Sequence, residues 1–293
     1  MASTRFEKWQ ALGNDYLILE QEALAFELTP ARIRRLCEGH LGIFADGILL
    51  LASPADPADV ADLRIFNPDG SEAELSGNGA REAILYLRRR GWTDQDSFSI
   101  HTAAGRLRPR ITGPDTCTVD MGSARLSSRD FPAGGPDGRG IVAAGGRRWS
   151  FRHVSIGNPQ CTIHVGTLAE LEALELGAIG PAIEGDAQFP NRTNVSWYTG
   201  VGDADGGSIR ARIFERGVGE TLSSGTGATG AAVAHVLDRS GPGASGAVRV
   251  VLDGGELEVD VAADLQINLT GWARPVFEGR LSEDFEKELH ETE

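Results

Sequence analysis

Cysteine is scarce in this chain. Its 293 residues include three, Cys37, Cys117 and Cys161. The number is odd, none sits in CxxC spacing, and no histidine pair lies near them, so neither a disulfide framework nor a zinc site is signalled. A reducing compartment, the cytoplasm, fits that usage. Long apolar runs are also missing. No stretch approaches the roughly 18 residues that a membrane-spanning helix needs, and the N-terminal segment Met1 to Trp9 has no apolar core of the kind a secretory leader carries. The expectation is therefore no membrane partner. Basic residues are outnumbered, 28 against 42 acidic, for a net charge of -14. Such a surface repels phosphate backbones, which argues against nucleic acid as a partner.

What remains is an ordinary globular composition, 41% hydrophobic and 24% charged, with 38 glycines. The length suits two domains better than one. Strand-like runs recur at Tyr16 to Leu19, Ile48 to Leu51, Leu63 to Phe66, Thr116 to Met121, Val154 to Ile156, Ile209 to Phe214 and Val248 to Leu252. Helical spacing of apolar residues marks Pro30 to Glu38, Ala80 to Arg90, Leu168 to Leu174 and Ala228 to Asp238. The Gly-, Ala- and Pro-rich stretch from Pro132 to Gly146 reads as a linker or long surface loop. The acidic tail from Ser282 to Glu293 reads as a solvated terminal helix or a frayed end.

The two halves repeat each other. Arg64-Ile65-Phe66 recurs as Arg212-Ile213-Phe214, and Ser76-Gly77-Asn78-Gly79-Ala80 recurs as Ser224-Gly225-Thr226-Gly227-Ala228, each displaced by 148 positions. The same displacement carries Asp46 to Asn194, while Gly13-Asn14 recurs as Gly157-Asn158 after 144 positions. A duplicated unit normally packs about a pseudo-twofold axis, which brings equivalent residues together. The expected architecture is mixed α+β: two tandem domains, residues 1–130 and 131–276, each with a curved mixed or antiparallel sheet wrapped around a central helix. The active site is expected in the cleft between them, with the tail 277–293 packing back on the first domain.

Ser-Gly-x-Gly-Ala ahead of an amphipathic run is a strand-to-helix turn whose glycines let a ligand approach the backbone. The helix start offers unpaired amides and partial positive charge, a seat for a carboxylate. Two such turns facing each other would grip one α-carboxylate and leave Ser76 and Ser224 on opposite faces of the attached carbon. That is the arrangement of a two-base racemase, in which one group removes the Cα proton and the other returns one. Each serine is also a good helix cap on its own account. Glu215-Arg216-Gly217 sets an acid beside a base, suited to an ammonium and a carboxylate together, or to an ordinary surface ion pair. Asn14, Asn67, Asn158 and Asn194 sit in Gly- or Pro-flanked turns, as turn residues or as amide donors to a ligand. Gly225 to Gly230 also fits GxGxxG. The stretch from Gly217 to Ser224 separates it from the preceding strand, however, and no acidic residue follows at the dinucleotide spacing.

These residues resemble the diaminopimelate epimerase family of PLP-independent racemases. The likeness runs through Ala11-Leu12-Gly13-Asn14-Asp15-Tyr16, Ala45-Asp46-Gly47, Arg64 to Ser71, Gly77-Asn78-Gly79-Ala80-Arg81, Gly157-Asn158-Pro159, Asn191 to Val195 and Glu215 to Thr221 running into Gly225-Thr226-Gly227-Ala228. It implies two similar α/β domains, each with strands around a central helix, and interconversion of LL- and meso-diaminopimelate for lysine and cell-wall synthesis. It implies no cofactor and no metal. Carried over by position, Asn14, Asn67, Asn158, Asn194, Glu215 and Arg216 would hold the distal groups of the substrate. Gly77, Asn78, Gly225 and Thr226 would hold the reacting carboxylate. A homodimer is left open.

The chain departs from the family at the centre of its mechanism. Ser76 and Ser224 stand at the two catalytic cysteine positions, and Gln160 stands where a histidine usually follows Gly-Asn-Pro. If serine is roughly four to five units less acidic than a thiol, its alkoxide costs on the order of 6 kcal/mol more, about ten-thousandfold in rate if nothing compensates. Three accounts fit: a deliberate exchange to trap a complex, a natural serine branch with a compensating base, or a branch that has become something else. Ser223 and Thr229, further departures beside the second site, favour a natural branch. The competing readings are an amino-acid-binding pseudo-enzyme and a racemase of another amino acid.

Overall fold

The computed structural model describes residues 3–202 and 207–292. The first two residues of the N-terminal segment and the last of the acidic tail, both read above, lie outside them. The chain divides into two units, residues 1–119 with 271–293, and residues 120–270.

In the first unit, β1 (Arg5–Ala11) and β2 (Asn14–Glu20) form an antiparallel hairpin. Its two-residue turn, Leu12 and Gly13, has φ of 55° and 84°, the pairing of signs that matches the twist of the strands. Leu12 holds this sterically unfavourable backbone because its side chain is fully buried. Helix α1 (Pro30–Cys37) follows, capped by Thr29 with proline in its first turn. Next come β3 (Ile48–Ala52), β4 (Ala61–Phe66), β5 (Glu72–Ala73), α2 (Gly77–Arg89), β6 (Ile100–Thr102), β7 (Gly105–Leu107) and β8 (Arg110–Gly113).

In the second unit, β9 (Thr116–Ser123) carries the chain in, followed by β10 (Arg139–Ala144), β11 (Arg147–Ser155), β12 (Pro159–His164), α3 (Leu168–Glu172) and α4 (Leu176–Glu184). Then come β13 (Asn194–Gly200), β14 (Ser208–Glu215), β15 (Gly219–Thr221), α5 (Gly225–Ser240), β16 (Gly246–Leu252), β17 (Gly255–Val261) and β18 (Gln266–Trp272). The chain returns to the first unit with β19 (Arg274–Arg280) and α6 (Glu283–Glu291).

The duplication extends to topology. The first sheet is ordered β19-β1-β2-β3-β4-β6-β7 with β5 beside β4, and the second contains β10-β11-β12-β13-β14-β16-β17 with β15 beside β14. Pair by pair the senses agree: antiparallel, antiparallel, parallel, antiparallel, parallel, antiparallel. Each parallel pair is joined by a helical crossover, as parallel strands require. The fold is thus mixed α+β, two versions of one sheet-and-helix unit.

The central strands of each sheet are covered on both faces. In the first, Leu17, Leu19, Ile48 and Leu50 pack with Ile33 and Leu36 of α1 and Leu289 of α6. Helix α2 covers β1, β2 and β3, and every residue from Gly77 to Leu87 is buried. In the second, Trp149, Cys161, Ile163, Val195 and Trp197 pack with Leu171, Leu176 and Ile183, while the Ala- and Gly-rich α5 is buried against β11 to β14, β16 and β17. A helix buried nearly all round belongs at the centre of its unit.

The expected strand runs fall in β2, β3, β4, β9, β11, β14 and β16, with Ile156 one residue past the end of its strand. One reading needs correction. The stretch 132–146 is no connecting linker: it lies within the second unit and contains β10, whose backbone pairs with β11 and whose Val142 and Ala144 are buried against Phe131. Of the two alternatives for the tail, the terminal helix is the one found. Ser282 caps α6 by accepting the Phe285 amide, Leu289 is fully buried, and Arg32 Nε donates to the Leu289 carbonyl at 2.6 Å. Among the described residues no helix is long and apolar enough to cross a membrane.

Candidate active site

Each unit carries one of the two candidate serines, at the start of its central helix. In the first, Ser76 has extended backbone (φ −125°, ψ 122°), and its Oγ accepts the Gly79 amide at 3.1 Å. In the second, Ser224 has φ −145° and ψ 122°, and its Oγ accepts the Gly227 amide at 3.2 Å. Both serines therefore act as caps, as their residue type alone suggests. The amides of Gly77 and Asn78, and of Gly225 and Thr226, stand ahead of the helical ladder at the positive ends of α2 and α5. Close packing explains the glycines between. A Cβ at Gly79 would lie 2.9 Å from Leu49 Cδ2, and one at Gly227 would lie 2.8 Å from Ile213 Cδ1.

The Ser76 turn is tied to the β1–β2 turn by a polar chain. Asn14 Nδ2 donates to Asp46 Oδ2 at 2.8 Å, and its Oδ1 accepts from Asn78 Nδ2 at 3.3 Å. Asn78 Oδ1 accepts from Arg81 Nη2 at 2.6 Å, and Arg81 Nη1 donates to the Gly77 carbonyl at 2.9 Å. Arg81 is fully buried, and burial lowers its pKa. Asp46 also accepts the Asp15 amide, while Lys8 Nζ lies 3.0 Å from Asp15 Oδ2. Fully buried Glu82 follows Arg81, and its carboxyl is pushed well above the usual range by burial, a shift Arg81 opposes and Asp15 and Asp46 reinforce. Asn67 stands apart from this chain. It closes its own turn, with Nδ2 donating to Ser71 Oγ at 2.9 Å and its amide to the Ser71 carbonyl at 2.8 Å.

The Ser224 turn repeats the plan with other side chains. Asn158 Nδ2 donates to Thr226 Oγ1 at 3.2 Å, and its Oδ1 accepts from Gln160 Nε2 at 2.8 Å. Thr229, the repeat counterpart of Arg81, likewise bonds back to the helix start, its Oγ1 donating to the Gly225 carbonyl at 2.8 Å. Buried Asn194 donates to the Pro159 carbonyl and accepts the Arg216 amide at 2.9 Å, so it shapes the turn that carries Glu215 and Arg216. The guanidinium of Arg216 donates to the Asn191 carbonyl at 2.8 Å, and Thr221 Oγ1 to Glu215 Oε1 at 3.4 Å.

Sequence reasoning missed two residues here. Glu184 accepts the Gly217 amide at 2.9 Å and pairs with Arg192 at 2.8 Å, holding the Glu215-Arg216-Gly217 turn from α4. Tyr16 donates from its hydroxyl to Ser76 Oγ at 3.2 Å. Displacement by 144 positions pairs Tyr16 with Gln160, which was the available signal. The three cysteines are buried in the cores. Burial pushes the Cys37 and Cys117 thiols up to about 12 and Cys161 well above its ordinary value, so none is a reactive thiolate. Among the described residues no cluster of histidine, cysteine or carboxylate could hold a metal ion.

The family model of diaminopimelate epimerase matches residues 6–127 and 152–276. A diaminopimelate epimerase of Synechococcus sp. (strain JA-3-3Ab) is 39% identical over 287 residues, covering 95% of this chain and 98% of that protein. Diaminopimelate epimerase 2 of Nostoc sp. (strain PCC 7120) is 38% identical over 283 residues, with 95% of each chain covered. Among solved structures, the Bacillus anthracis phenazine biosynthesis protein of the PhzF family shares the fold with a TM-score of 0.70 at 19% identity, covering 96% of this chain and all of that one. A family match across most of the residues, and relatives above one-third identity over nearly full length, decide the matter: this chain belongs to the diaminopimelate epimerase family.

Proposed function

We propose that this protein interconverts LL- and meso-2,6-diaminopimelate by proton transfer at Cα, without a cofactor, in lysine and peptidoglycan synthesis. Ser76 and Ser224 are the two acid–base groups. The amides of Gly77, Asn78, Gly225 and Thr226 receive the carboxylate of the reacting centre, and the positive helix ends lower the energy of the enolate-like charge formed there. Asn14, Asn67, Asn158, Asn194, Glu215 and Arg216 receive the distal amino and carboxylate groups. The observation that carries this reading is the repetition of one device: in each unit an extended serine caps the central helix three residues ahead of its Gly-Ala step. Family membership supplies the substrate class.

A hydroxyl is a poorer acid than a thiol by roughly four to five units, so the expected rate lies well below that of a cysteine enzyme. Incubation with LL-diaminopimelate in deuterated water tests the reading. Appearance of meso isomer deuterated at one Cα supports it. Saturable binding with no deuterium gained would favour the second reading, an amino-acid-binding protein without chemistry. That alternative draws support from the cap bonds, since each serine oxygen already has a structural task.

A further inference from the structure

Ser76 and Ser224 occupy equivalent positions, yet their surroundings differ. Ser76 Oγ receives two donors, the Gly79 amide at 3.1 Å and the Tyr16 hydroxyl at 3.2 Å. Ser224 Oγ receives the Gly227 amide at 3.2 Å. The repeat counterpart of Tyr16 is Gln160, and its amide donates to Asn158 instead, at 2.8 Å. The phenol is seated firmly. Tyr16 is buried, and a Cβ placed on Gly47 would lie 2.7 Å from its Cε1, so the ring fills the space that the absent side chain leaves.

We propose that Tyr16 is a further positioning residue of the reaction, acting through Ser76: its phenol and the Gly79 amide together stabilise the oxyanion form of the Ser76 hydroxyl, making the two serines unequal. The inference rests on the function proposed above and deepens it. An oxygen that is to take a proton from carbon must first give up its own, and two donors aimed at one oxygen favour the charged form over the neutral one. In the step itself the hydrogen-bonded pair of Ser76 and Tyr16 carries one negative charge, its proton having gone to solvent water, and Ser76 Oγ takes the Cα proton. The Cα–H bond breaks, the Oγ–H bond forms, the electron pair stays on the substrate, and the proton shared between Oγ and the phenol oxygen comes to rest on Tyr16. In the reverse direction Ser76 delivers its proton to Cα and is left as the alkoxide under the same two donors. Ser224, with the single described donor, is the group that rests protonated. The charged side chains of β1, β2, α2 and the turn before β3 include Lys8, Asp15, Asp46, Arg81 and Glu82. Lys8 pairs with Asp15, Arg81 turns to Asn78 and Gly77, and burial favours the neutral form of Glu82.

The test uses Tyr16→Phe, which keeps the ring against Gly47 and removes one oxygen. Its first readout needs no catalysis. In Ser76→Cys and in Ser76→Cys/Tyr16→Phe, the rate of alkylation at position 76 is followed against pH by peptide mass spectrometry, the three native thiols being buried. A hydrogen bond to the charged form is worth about tenfold or more in the ionisation constant, so loss of the phenol is expected to raise the thiol pKa by about one unit. The second readout is Cα exchange in the serine protein, where Tyr16→Phe is expected to lower kcat at least tenfold and leave KM within about twofold. An unshifted thiol pKa overturns the inference, as does an exchange rate that Tyr16→Phe leaves intact. A shifted pKa with no exchange in the unmodified protein overturns the proposed function and leaves the acidifying contact standing.

Discussion

Gly79 donates its amide to Ser76 Oγ at 3.1 Å, so the oxygen proposed as an acid–base group is also the cap of the helix that carries it. Removing it has two separable costs. Ser76→Ala is expected to lower stability by about 1 kcal/mol, the usual worth of a cap, and to abolish Cα exchange. Denaturant titration and exchange measured on the same sample check this. An exchange rate unchanged at reduced stability would assign Ser76 to capping alone.

Thiols at both positions restore the more acidic pair. Ser76→Cys with Ser224→Cys is expected to raise epimerase activity by orders of magnitude, since the difference in acidity is worth up to about ten-thousandfold. Steady-state rates on LL-diaminopimelate decide it. No gain would mean that the two turns are not arranged around one carbon.

Arg216 is held at both ends, its amide by Asn194 and its guanidinium by the Asn191 carbonyl. Arg216→Ala keeps the first contact and loses the second together with the charge. Its expected effect is a large rise in KM with a much smaller change in kcat, as for a group that binds ground state and transition state alike. Equal affinity measured by calorimetry would remove Arg216 from the substrate site.

His153 is fully buried with Nε2 at 2.9 Å from Ser128 Oγ, and burial lowers its pKa to about 4. Its folded pKa lies below the unfolded one, so below pH 6.5 the unfolded chain binds a proton that the folded chain refuses. Stability is therefore whole above pH 6.5 and falls as pH drops towards 4, by about 3 kcal/mol in all. Urea midpoints between pH 4 and 7 test this, and His153→Gln is expected to flatten the slope. Glu82 has the opposite sign. Its raised pKa means that the unfolded chain loses a proton above pH 4.5 that the folded chain keeps, so it subtracts stability as pH rises. Relative to the unmodified protein, Glu82→Gln is expected to gain stability as pH climbs from 5 to 8.

Much of this was legible in the residues. The Phe-to-Ser spacing shared by the halves located both helix starts, because a strand-to-helix turn with Gly-x-Gly leaves few other solutions. Side-chain partnerships were less legible. Asn67 and Asn194 look alike in the sequence as Asn in turns, yet one bonds within its own turn and the other supports Arg216, a distinction set by strands far apart in the chain. Helix α4 escaped detection because Gly177, Gly180 and Pro181 are poor helix formers. Packing overrides them: a Cβ at Gly180 would lie 2.6 Å from the Phe214 ring. The 132–146 stretch misled for the converse reason, since β10 is a strand by virtue of its partner β11 rather than its own composition.

Two bases on two faces of one carbon leave a signature in the early distribution of isotope. With LL-diaminopimelate in deuterated water, stopped at a few per cent conversion, deuterium is expected in the meso product and protium in the unreacted LL isomer. Deuterium entering the recovered substrate as fast as the product would mean that one group serves both faces, and would contradict the pairing of Ser76 with Ser224.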